Sequence, residues 1–102
     1  MKMTDETKTL LKQEIIASLS PEKEVHKIVI FGSFLTAANP NDIDVAIFQD
    51  SAESYLSLAQ KYRKLTRNIT RKIPLDIVPI KANAPQTTFL EEIEAGELIY
   101  ER

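Results

Sequence analysis

Cysteine and tryptophan are absent from this 102-residue chain, and glycine occurs only twice. Without cysteine there are no disulfides and no thiolate metal sites, which fits a reducing compartment. Strong charge of either sign is missing too: the net charge is −2, so the chain as a whole has no electrostatic pull toward nucleic acid or anionic lipid. No apolar run approaches the roughly 20 residues of a membrane helix. The N-terminus turns acidic at Asp5 and Glu6, where a signal peptide would turn apolar, and the expected location is cytoplasmic. Repeats, low-complexity tracts and linkers are absent, and the short length points to one domain over residues 1–102 with a modest core. Histidine occurs once, as His26, and without a second nearby ligand it is expected at an ordinary surface position.

What is present centres on residues 28–48, IVIFGSFLTAANPNDIDVAIF. Residues 28–31 are an unbroken apolar run, bounded by charge before and glycine after, as in a fully buried strand. Residues 42–48 form a second strand that opens on Asp42 and Asp44. A strand repeats every two residues, so both carboxylates point from one face. Like charges this close raise one pKa or demand a cation, and a hard divalent ion with oxygen ligands is the usual relief. Between the strands, Gly32 lets the backbone turn sharply or approach a ligand. Ser33 is expected to cap a short helical turn over 34–38, whose free amides would suit a phosphate. A phosphate cradle followed by paired carboxylates suggests a metal-bound polyphosphate.

The flanking segments are predicted by periodicity. Thr4 caps a helix over 4–19, with Leu11, Ile15 and Leu19 lining one face and Leu10 and Ile16 widening it. Ser51 opens a long helix in which Tyr55, Leu58, Tyr62, Leu65 and Ile69 form the apolar stripe. That helix also carries Arg63, Arg67 and Arg71 at four-residue spacing, with Lys61, Lys64 and Lys72 beside them, a basic face that a solvated helix surface explains best. A third strand runs over 74–80, and Pro79 places it at a sheet edge or stops its pairing. Its Asp76, costly to bury unpaired, is either an edge charge or a third metal carboxylate; beside Asp42 and Asp44 the second reading is preferred. A last helix covers 85–95, with Phe89, Leu90 and Ile93 inward and Gly96 as C-cap, before a strand at 98–100. The order predicts an α+β, or α/β sandwich, fold: a small mixed sheet with helices on one face and the carboxylates on the other face or at its rim.

A buried strand, Gly32-Ser33, a loop, Asp42-x-Asp44 and the later strand aspartate Asp76 together resemble the DNA polymerase beta-like nucleotidyltransferase superfamily, and more narrowly its minimal nucleotidyltransferases. These are often partnered with HEPN proteins in toxin–antitoxin pairs. Residues 93–101 also resemble the family's closing helix and strand, so the likeness covers almost the whole chain. It implies two Mg²⁺ ions (or Mn²⁺) held by Asp42, Asp44 and Asp76, with Asp76 helping to deprotonate the acceptor. It implies phosphate contacts from Gly32 and Ser33, and transfer of AMP from ATP to an acceptor hydroxyl. The acceptor site would come from a helical HEPN-type partner or from a homo-oligomer, with nucleic acid less favoured. The loop between Ser33 and Asp42 is about two residues shorter than the common form and lacks its arginine and second glycine, having Leu35, Thr36 and Ala37 instead. A binding module that acts by covering its partner is therefore the second reading. Phosphatases that use Asp-x-Asp carry the apolar strand before the pair, whereas here residues 45–48 follow it.

Overall fold

A computed structural model describes residues 3–102. Helix α1 spans Asp5–Leu19, and the Thr4 side chain accepts from the Thr7 amide at 3.1 Å, with Asp5 and Glu6 at the positive end of the dipole. Leu11, Ile15 and Leu19 are buried as expected, but Leu10 is 55% exposed and takes no part in the stripe. Strand β1 is Val25–Phe31, longer at its start than the apolar run alone indicates. His26 therefore lies inside the strand, with its Nε2 at 2.8 Å from the exposed carboxylate of Asp50. Strand β2 is Ile43–Gln49, so Asp42 stands one residue ahead of it.

The expected long helix is two. Helix α2, Tyr55–Leu65, is capped by Ser54, whose side chain accepts from the Ser57 amide at 3.2 Å. Ser51 instead closes a local turn by accepting from the Glu53 amide at 3.0 Å. Helix α3, Arg67–Thr70, follows a break at buried Thr66, where φ −106° and ψ 15° leave the helical region. The Thr66 hydroxyl donates to the Tyr62 carbonyl at 2.8 Å, a local bond that competes with helix continuation. The break keeps Leu58, Tyr62 and Ile69 in the core, while Tyr55 at the helix start is 60% exposed. Tyr62 ties α2 to the entry of β1: its hydroxyl and Lys61 both donate to Glu24, at 2.9 and 3.0 Å. Burial alone would raise the Glu24 pKa, but the bonds from Lys61, the backbone and Tyr62 outweigh it and hold the carboxyl low.

Strand β3 is Leu75–Lys81, helix α4 is Thr88–Glu94 and strand β4 is Glu97–Glu101. The helix starts three residues later than predicted because Thr87 caps it, accepting from the Leu90 amide at 3.1 Å. Gly96 was expected as C-cap; Ala95 takes that position, and among the described residues only Gly32 has positive φ. A Cβ at Gly96 would collide with the Ile30 carbonyl, so glycine is needed there for close approach of the chain to β1.

The sheet order is β3-β2-β1-β4, with β2/β3 parallel and the other two pairs antiparallel. Pro79 sits on β3, an edge strand, which answers its missing donor. Ile28 and Ile30 of β1, with Ile43, Val45 and Ile47 of β2, turn to one face and pack on α1, α2 and α3. The intervening Val29, Ala46 and Phe48 turn to the other face, where Leu90 and Ile93 of α4 cover them. The mixed sheet and helical layer are those expected; α4 departs from the one-sided arrangement and shares its face with the carboxylates. No helix among the described residues is long and apolar enough to cross a membrane.

Candidate active site

The register of the parallel pair builds the site. The Ile43 amide donates to the Pro74 carbonyl at 3.0 Å, and from there Asp44 faces Asp76 across β2/β3. On the other side Phe31 of β1 is the partner of Asp44. Alternation along each strand puts Asp44 in step with Ala46 and Phe48, and Asp76 in step with Val78 and Ile80, so both side chains belong to the α4 face. They lie at the sheet rim where β1 ends and β2 and β3 begin. Asp42 lies just ahead of β2, near enough for its charge to act on Asp44.

Asp44 is the centre of this group. Burial raises its pKa, and repulsion from Asp42 and then Asp76 adds to it. Asp76 itself is exposed, at the outer edge of the sheet. The three expected acids are thus brought together electrostatically. Among the described residues, however, no three His, Cys, Asp or Glu side chains close round one point as an ion cage. Mg²⁺ is usually held by one or two carboxylates, completed by waters and substrate phosphates. The all-oxygen donor set, with repulsion concentrated on one carboxyl, suits such an ion.

Gly32 has φ +79°, a conformation other residues adopt at a cost. A Cβ at this position would run into the Asp44 carboxylate, so the chain passes directly against that acid. A 3₁₀ turn over Gly32–Leu35 follows, and its N-cap is Phe31 without a side-chain bond. Ser33 does not cap it as expected: its carbonyl accepts from the Thr36 and Ala37 amides at 3.1 and 2.7 Å, and the residue stays exposed. Phe34 anchors the turn in the core.

Lys8 is the contributor that sequence reasoning missed. Its ammonium donates to the Phe34 and Ala37 carbonyls, both at 2.8 Å, and lies 5.3 Å from the Phe34 ring centroid. The Met3 amide adds a bond to the Ala38 carbonyl at 2.9 Å. The shortened loop is thus tied down from α1, by contacts too distant in sequence to leave a local signal. The basic face lies elsewhere: Arg63, Lys64 and Arg67 line an open cavity of about 610 Å³ with Gln60, Thr70 and Leu75. Lys61 and Lys72 are occupied by ion pairs, with Glu22 and Glu24 and with Glu14.

In metal-free protein, replacing both Asp42 and Asp44 by asparagine is expected to leave the melting temperature unchanged or raise it. The charged Asp44 is penalised above its raised folded pKa, and the penalty is relieved as pH falls through that value toward the unfolded one. Wild-type stability relative to the double variant therefore improves in that acidic window. A large loss of stability in the variant, measured by thermal melting without metal, would make these acids structural.

A small mixed sheet with acids at its rim and a glycine corner beside them defines a nucleotidyltransferase-like α+β fold. Residues 13–102 match the Polymerase beta, Nucleotidyltransferase family, and the chain belongs to it. Solved structures share the architecture. A toxin–antitoxin MntA-HepT crystal structure matches with a TM-score of 0.64 and 17% identity, over 92% of this chain and 73% of that one. A tri-AMPylated Shewanella oneidensis HEPN toxin in complex with its MNT antitoxin gives 0.61 and 19%, over 92% and 72%. A toxin–antitoxin with AMP-PNP gives 0.61 and 19%, over 89% and 73%. At these identities the likeness carries the fold. No curated protein matches the chain.

Proposed function

We propose that this protein is a Mg²⁺-dependent nucleotidyltransferase that moves AMP from ATP to a hydroxyl on a helical HEPN-type partner. The observation that carries the reading is the β2/β3 register, which sets Asp44 against Asp76 with Asp42 beside them and the Gly32 backbone in contact. Asp42, Asp44 and Asp76 are the residues to hold the metal, with substrate oxygens completing its shell. When bound, Mg²⁺ supplies positive charge that stabilises the attacking and leaving oxygens of an in-line displacement. Gly32 and Ser33 take the terminal phosphates through backbone amides and the exposed hydroxyl. Asp76, open at the sheet edge, accepts the acceptor's proton as its oxygen bonds to the α-phosphorus. The bond to the bridging oxygen breaks and pyrophosphate leaves.

The partner follows from the openness of the site. Cavities of about 460 and about 610 Å³ are lined by none of these residues, which leaves the acids open to an acceptor brought by another molecule. The similar complexes with an AMPylated HEPN toxin and with AMP-PNP support both the partner and the nucleotide. One observation favours a binding module instead: residues 32–41 contain no basic side chain, and Lys8 spends its ammonium on loop carbonyls rather than phosphate. The test is incubation of the complex, co-purified with its neighbouring gene product, with Mg²⁺ and α-labelled ATP. Transfer predicts label on the partner, lost with Asp42→Asn; a stable complex that never takes label supports the binding module.

A further inference from the structure

We infer that Phe31 and Phe89 form the wall on which the base of the bound nucleotide stacks. The inference rests on the reading that Gly32 and Ser33 hold the triphosphate, and it adds the base subsite to that site. Phe31 immediately precedes Gly32 and is the strand partner of Asp44, so its side chain stands next to that carboxylate on the same face. Phe89 of α4 meets Phe31 edge-on, with centroids 6.2 Å apart and planes at 86°. Such a T-shaped pair leaves the faces of at least one ring free for a third planar group.

Phe89 presents an open ring beside this site. Leu90 and Ile93 already anchor α4 on the sheet, at 7% and 0% exposed, while Phe89 between the helix and the charged rim is 53% exposed. Leu98, paired with Val29 and so on the same face, is 51% exposed and extends the apolar surface. The position across the sheet selects the occupant. The order is Asp76 on β3, Asp44 on β2, Phe31 on β1, so the aromatic pair lies on the far side of Asp44 from Asp76. An acceptor that gives its proton to Asp76 enters over the β3 edge. The ring pair, next to the phosphate cradle, belongs to the nucleotide. Phenyl rings offer a π-face and no hydrogen-bonding group, so they hold any base by stacking and favour the larger purines without separating adenine from guanine.

The test is calorimetric titration of the intact protein in Mg²⁺ with ATP, GTP, CTP and inorganic tripolyphosphate, comparing wild type with Phe89→Ala and Phe89→Trp. The expected result is about tenfold weaker ATP and GTP binding in Phe89→Ala, the scale of one lost base–aromatic stack, with tripolyphosphate unchanged and Phe89→Trp as tight as wild type. Equal ATP affinity in Phe89→Ala would overturn the inference and make the exposed ring a protein contact. Equal losses of ATP and tripolyphosphate would overturn it as well, because the ring would then be shaping the phosphate loop. Wild-type protein that binds tripolyphosphate but gains nothing from a base refutes the wall while leaving the phosphate site intact. Failure to bind either ligand refutes the phosphate site and the wall together.

Discussion

Asp76→Asn is expected to keep most of the nucleotide affinity while turnover falls by about 10²–10⁴-fold, the range for losing a general base. That corresponds to about 3–5 kcal/mol at the barrier. The substitution is close to isosteric, and Asp76 is exposed on an edge strand, so the fold has little reason to respond. It also removes one of the charges that load Asp44, which makes the nucleotide-free site less strained rather than more. Asp42, Asp44 and the Gly32-Ser33 corner remain for binding, and what is lost is the group that takes the acceptor's proton. Single-turnover transfer measured beside equilibrium binding separates the two effects. A near wild-type rate would leave Asp76 as an edge charge that discourages strand pairing.

Gly32→Ala is expected to damage stability and site together. The backbone at φ +79° costs any other residue about 1–2 kcal/mol. The added methyl would also occupy the space of the Asp44 carboxylate, so either the corner or the acid must move. The expected outcome is a loss of about 1–3 kcal/mol in chemical denaturation, with triphosphate affinity reduced by more than about tenfold. Gly96→Ala is the control. Its methyl meets the Ile30 carbonyl and the Phe31 side chain rather than the acids, so it costs stability while leaving tripolyphosphate binding as in wild type. A Gly32→Ala protein that binds ATP like wild type would remove the corner from the phosphate site.

Local pattern made much of this legible. The apolar run at 28–31 and Pro79 on an edge strand each follow from residues adjacent in sequence, and each is where the pattern puts it. The errors arise where tertiary contacts decide. Thr66 interrupts a continuous 3.6-residue period with its hydroxyl turned back on the Tyr62 carbonyl, which no periodicity reveals. Phe89 fits an inward helical position, yet α4 starts late and turns Leu90 and Ile93 inward, leaving it exposed beside Phe31. Gly96 reads as a C-cap, but Ala95 holds that position and the glycine serves the approach to Ile30. For the site, spacing brings the charges of Asp42 and Asp44 together, although β2 begins only at Ile43. That Asp76 stands opposite Asp44, and not one residue off on the wrong face, depends on parallel register. The role of Lys8 spans 26 and 29 residues and leaves no mark in either helix or loop.

The central claim, that the acids gathered around Asp44 serve a metal-bound triphosphate, is tested most directly by titrating ATP into the protein with Mg²⁺ or Mn²⁺ and again with excess chelator. Saturable binding is expected with the metal, and its loss is expected in chelator and in the Asp42→Asn, Asp44→Asn double variant even when metal is present. Equal affinity in metal and in chelator would contradict it.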